Sequence, residues 1–170
     1  DRVARPWHEY REGLAYMGRT PLILAIALVG VGWATGGGAA QILFSLFGEV
    51  VFNRGAAGIG EVWGAAGIGL IVGGVVANVW GKKLPFETYK RVIVLCYIVH
   101  GGTYVLFSTM TNYGAALFFI ALSRAAVAVS SVLNFTQLLR HVHNEYRGRV
   151  FSTMETMVWA TMMMSMLSAG

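Results

Sequence analysis

The sequence predicts an all-α, polytopic membrane helix bundle, and three observations carry that reading. First, the chain is 56% hydrophobic and only 12% charged, where a soluble domain carries about 25% charged residues. Second, the missing charges are missing in blocks. Pro21 to Gly48 contains no Asp, Glu, Lys or Arg, neither does Val62 to Gly81, and a third such block lies between Arg91 and Arg124. A hydrocarbon core about 30 Å thick takes roughly 20 apolar helical residues to cross, so each of the first two blocks is long enough for one passage. Third, the strict two-residue alternation of a barrel strand is absent, which leaves helices as the spanning element.

The elements follow in order. Residues 1–19 mix bases with Trp7, Tyr10, Leu14, Tyr16 and Met17, a composition that suits a cytoplasmic or interfacial segment beside a membrane. Pro21, acceptable in a first helical turn, opens a span over 20–46. A second span covers 58–81. The long third block breaks at the polar stretch Ser108 to Gly114, giving spans over 91–109 and 113–140. A fifth covers 149–170 and is still running at Gly170, so it is expected to be cut short there. The membrane bundle is thus residues 20–170.

Charge placement orients the spans. Of thirteen Lys and Arg, eleven lie in the N-terminal segment, the 81–91 loop and the 140–149 loop. Only Arg54 lies on the opposite side, and Arg124 falls within span four. By the positive-inside rule the N-terminus and those two loops are cytoplasmic. The net charge of +5 therefore reports membrane topology rather than nucleic-acid binding. The single cysteine, Cys96, excludes an intrachain disulfide framework.

Several residues stand out against the apolar background. Gly36, Gly37 and Gly38 in span one allow close helix approach or local unwinding beside a cavity. In span two Ala65, Gly69, Gly73, Ala77 and Gly81 recur every four residues, the pattern of a helix packed tightly on one neighbour. The start of span three is uniformly apolar and reads as lipid-facing. Span four carries Ser123, Arg124, Ser130, Ser131, Asn134 and Gln137 on one side, with Ser131 about 20° from Arg124 at 100° per residue. Arg124 is the sharpest signal, because a mid-membrane arginine costs at least ~2.5 kcal/mol on insertion scales. It serves either function or a structural pair. Glu61 and Glu155 are either solvated carboxylates near a span's start or proton relays. No catalytic constellation, phosphate loop or metal set is found, and no cofactor or enzymatic activity is expected.

Three passages resemble the major facilitator superfamily, and within it the drug and siderophore exporters. Gly74-x-x-x-Asn78-x-x-Gly81-Lys82-Lys83 is similar to the loop signature between the second and third helices of each half, with Asn78 where the signature has Asp. Leu122-Ser123-Arg124 is similar to the arginine-bearing signature of the fourth helix. Arg147-Gly148-Arg149-Val150-Phe151-Ser152 is similar to the passage entering the eleventh helix, and Glu12-Gly13-Leu14-x-Tyr16 to the segment before the seventh.

The resemblance implies five transmembrane helices, seven to eleven, of a six-helix half-transporter whose partner is the missing N-terminal half. It implies secondary, proton-coupled efflux of a small molecule across the inner membrane by alternating access. The first and fourth helices of such a half line the cavity. This makes Arg124, Ser131, Asn134, Gln137, Gln41 and Trp33 the substrate set and Glu61, Glu155 and Arg124 the proton-coupling candidates. Gly74, Asn78, Gly81, Lys82, Lys83, Arg147 and Arg149 form the gating loop set, with the 78–83 loop expected to meet the Arg147–Arg149 region or its counterpart in the missing half. Because the second helix of a half meets the other half, the Gly69/Gly73 face is expected to be exposed. The competing reading is a non-transporting membrane assembly subunit, in which the glycine stripes serve only packing.

Overall fold

A computed structural model of the protein describes residues 4–81 and 84–169. Among these residues there are six α-helices and no strand: α1 (Ala4–Arg19), α2 (Pro21–Leu46), α3 (Gly55–Trp80), α4 (Phe86–Thr109), α5 (Tyr113–His141) and α6 (Asn144–Ala169). A π-helical turn, Phe47–Val51, extends α2. All five predicted spans form as helices. Four are long and apolar enough to cross a membrane: Pro21–Val51, Gly55–Trp80, Phe86–Thr109 and Tyr113–His141. The chain is a multi-pass α-helical membrane protein. The fifth expected span, in α6, is not among the four. Its 26 residues include Arg147, Arg149, Thr153, Glu155, Thr156 and Thr161, which dilute its apolar content.

Local chemistry explains the breaks. Between α2 and α3, Asn53 adopts φ 55°, a left-handed conformation that Asn tolerates better than most residues. Pro85 stands at the N-cap of α4 with ψ 151°, extended as a residue outside the helix must be. At the polar break after α4, the Asn112 side-chain oxygen accepts the Ala115 amide at 3.0 Å. That bond satisfies one of the donors a helix start leaves open.

The chain divides into two compact units, Asp1–Leu43 with Gln137–Gly170, and Phe44–Thr136. In the first unit, Met17, Ile23, Ile26, Ala27, Leu138, Val142 and Val150 form a buried cluster. The α1 segment, expected at the interface, docks on α6: Arg149 pairs with Glu12 at 2.8 Å, and the Tyr16 and Tyr146 rings stack at 4.9 Å.

Further along, α2 meets α6 at the triple glycine. A methyl group at Gly38 would lie 2.8 Å from the Met166 amide nitrogen and from Ser165 Cβ, so only glycine lets the two backbones come this close. The Ser165 hydroxyl donates to the Thr35 carbonyl at 2.6 Å and accepts the Ala39 amide at 3.1 Å. Thr35 and Ala39 are the i and i+4 partners of one helical rung, and the hydroxyl is bonded to both. Of the two roles open to these glycines, close packing is the one seen at Gly38.

In the second unit α3 packs on α5 through the predicted small-residue stripe. Carbons added at Gly69 and Gly73 would run into the backbone of Ala121 and Ala125. This corrects the expectation of an exposed glycine face, for Gly69 and Gly73 are buried. The face of α3 left open is branched and large instead, with Ile68, Ile71, Val75 and Val79 each more than half exposed. Helix α4 shows the lipid-facing surface expected of it, with Val94, Leu95 and Ile98 exposed.

Candidate functional site

The site of interest lies halfway along α5. Arg124 is eleven residues from the start of a 29-residue helix, about 16 Å along its axis from Tyr113. The guanidinium does not face outward, since Arg124 is only 8% exposed. Its Cζ lies 5.0 Å from the centre of the Phe44 ring and 5.9 Å from that of Tyr104. Phe44, at the end of α2, also meets Trp63 and Phe107 edge-on at 5.6 and 5.7 Å. A cation over a desolvated ring gains about 2 kcal/mol or more, close to the ~2.5 kcal/mol that insertion demands. The rings thus offset much of the burial of charge, but they accept no conventional hydrogen bonds. Arg124 Nε is buried with no hydrogen-bond partner among the described residues, and so is the Tyr104 hydroxyl.

Beside this cluster, His100 Nδ1 and Ser123 Oγ are 2.6 Å apart, both buried. The His100 ring lies 4.4 Å from that of Tyr104. Of the rest of the polar arc on α5, Asn134 accepts a bond from the Tyr89 hydroxyl at 2.7 Å. Ser130 turns back to the Val127 carbonyl. Ser131 is exposed, although it shares a heading with the buried Arg124 two turns away. Gln137 is buried in the first unit.

The remaining candidates scatter over both units. In the first, Gln41 donates to the Met162 sulfur at 3.1 Å, and Trp33 has a buried indole N–H with no partner among the described residues. Glu155 accepts from the Trp159 indole at 3.0 Å in an exposed position. Arg147 donates to the carbonyls of Leu139 and Val142 at 2.5 and 3.2 Å, and Arg149 is held by Glu12.

In the second unit, Glu61 forms an exposed ion pair with Arg54 at 3.1 Å and accepts the Tyr113 hydroxyl at 2.5 Å. The Arg54 guanidinium stacks on the same Tyr113 ring at 4.5 Å. This is the geometry of a carboxylate in a surface cluster, one of the two readings open to it from sequence. Gly74 has open space around it, and Gly81 sits against Leu133. Asn78 is exposed, and Lys82 and Lys83 lie outside the described residues.

Four residues at these contacts were not singled out from sequence: Phe44, Tyr104, Tyr89 and Ser165. Each is an aromatic or a hydroxyl of the kind common in membrane helices, and its partner lies 20 to 130 residues away. Only Tyr104, placed four residues after His100 and so on the same helical face, carried a local signal.

Helix class, span number and a buried charge at mid-depth together define a polytopic membrane protein with a polar centre in one helix. No protein-family model matches the chain, and no curated protein or solved structure matches it either.

Proposed function

We propose that the chain is part of a secondary transporter that moves a small molecule across a membrane by alternating access, in the manner of the major facilitator superfamily it resembles. The observation that carries this reading is Arg124: a buried guanidinium midway along a membrane-length helix, in a ring of aromatic side chains and with an unpaired donor. An intramembrane charge of this kind marks a substrate or ion pathway by default. Its neighbours bear on the reading too. Trp63, Phe44 and Tyr104 supply apolar contact, and Asn134 and Ser131 offer polar groups closer to the cytoplasmic end.

On this reading Arg124 contacts the substrate or the coupling proton's site, and transport is efflux across the inner membrane with the N-terminus and the 81–91 loop cytoplasmic. The missing half of the transporter completes the path, and the protein carries out no covalent chemistry. The open Ile68/Ile71/Val75/Val79 face of α3 also fits the alternative, a non-transporting assembly subunit. Proteoliposomes holding the full-length protein separate the two. Under an imposed proton gradient, labelled small molecules should move with the native protein and at least tenfold more slowly with Arg124→Ala present in equal amount. Gradient-independent traces for every compound would leave the assembly reading standing.

A further inference from the structure

We propose that Arg124 and Tyr104 hold a small monovalent anion. Both are donors on neighbouring helices, α5 and α4, set against one aromatic shell. Arg124 Nε and the Tyr104 hydroxyl are buried and lack partners among the described residues. Buried polar groups in folded proteins are nearly always hydrogen-bonded, and an unpaired one points to a ligand, ion or water.

The protein offers no counter-charge of its own in this unit. Its carboxylates are Glu49, Glu61 and Glu87. Glu61 is bound by Arg54 and Tyr113, and its contact with Tyr113 holds it at the far end of α5, about 16 Å from Arg124 along the axis. Glu87 pairs with Lys90 at 2.7 Å in the first turn of α4, and Glu49 is exposed in the π-helical turn. Nor does His100 accept from Arg124 Nε, which has no partner among the described residues; the His100 Nδ1 faces Ser123 Oγ at 2.6 Å. Phe44 lies against the cation but gives its Nε–H no acceptor.

What remains is a fixed positive charge with two donors and no acceptor. A chloride ion or a carboxylate answers all three conditions: it neutralises the guanidinium, accepts from Nε–H and accepts from the phenol. A neutral amide answers only the hydrogen bonds. The anion is either free chloride or the carboxylate of a cargo molecule, and the second source rests on the transport reading above.

Thermal unfolding of the purified protein in lipid nanodiscs tests this, in a sodium isethionate background of constant ionic strength. Chloride, acetate and neutral acetamide serve as titrants. Native protein should be stabilised saturably by chloride or acetate and not by acetamide. The apparent dissociation constant should rise at least tenfold in Arg124→Gln and several-fold in Tyr104→Phe. Tyr104→Phe removes one hydroxyl and keeps the ring, so it carries the test if Arg124→Gln fails to fold. Stabilisation by chloride alone assigns the site to free halide. Acetate acting where chloride does not assigns it to a cargo carboxylate. Absence of any saturable anion response, an equal response to acetamide, or an unchanged constant in Tyr104→Phe overturns the proposal. Loss of anion binding with transport intact sinks this inference alone, whereas anion binding without transport of any labelled compound sinks only the transport reading.

Discussion

Neighbouring glycines on α3 should respond in opposite ways to the same substitution. At Gly73 an added methyl carbon would lie 2.8 Å from both the carbonyl carbon and Cα of Ala125; at Gly74 it would meet nothing within 4 Å. Carbon atoms rest about 3.5–4.0 Å apart, so Gly73→Ala forces α3 and α5 roughly 1 Å apart along their seam. Overpacking of this kind costs about 1–3 kcal/mol. Each substitution also gains about 0.5–1 kcal/mol by removing a glycine from a helix, and that gain is common to both. The difference between the two variants therefore isolates the steric cost: Gly73→Ala should be less stable than Gly74→Ala by about 1–3 kcal/mol. Unfolding in bicelles titrated with SDS, followed by tryptophan fluorescence, measures it. Gly69→Ala should behave like Gly73→Ala. The double variant should lose less than the sum, because the first methyl has already opened the gap that the second needs. Equal stability of Gly73→Ala and Gly74→Ala would refute the α3–α5 seam.

Other perturbations give equally direct readings. Ser165→Ala removes the hydroxyl bonded to both Thr35 and Ala39; interhelical polar contacts in membranes contribute about 0.6 kcal/mol on average, and SDS unfolding should show a loss of that order, with no loss speaking against the bond. Glu61→Gln breaks an exposed ion pair whose strength is screened by salt, so any destabilisation should shrink as sodium chloride is raised; a salt-independent loss contradicts the surface placement. Arg124→Lys keeps the charge but not the planar, ring-stacking guanidinium. Transport in proteoliposomes should fall nearly as far as with Arg124→Ala, and native rates would remove the guanidinium's shape from the explanation.

Helix positions were legible because charge-free blocks and polar breaks are local. Asn112 marks the start of α5 where composition places it, whereas α4 begins at Phe86, five residues before the expected 91, because its first turns carry the charged Glu87, Lys90 and Arg91. The small-residue stripe of α3 announced a tight interface but not its owner. Four-residue spacing states that something approaches closely, and whether that is α5 or another half depends on contacts fifty residues away. The open face of α3 was hidden for the same reason, since hydropathy alone does not tell whether Ile68, Ile71 and Val75 face a neighbouring helix or the outside. Arg124 was conspicuous as a charge among apolar residues. Its aromatic shell was not, because Phe44 and Tyr104 are ordinary membrane residues until folding brings them to it.

The division of the chain into units bears on how the protein is made. Phe44–Thr136 is one uninterrupted stretch, so all of its contacts are available once Thr136 has left the ribosome, and domains form during synthesis from the N-terminal side. The other unit draws on both flanks of that stretch. The hydroxyl that Thr35 and Ala39 share arrives only with Ser165, more than a hundred residues after them. Until then the rung closes on itself as in any α-helix, so no backbone group waits unsatisfied in lipid. Docking of α2 on α6 is thereby a late step of biogenesis, and nascent chains arrested before Ser165 should hold a finished second unit beside an unfinished first.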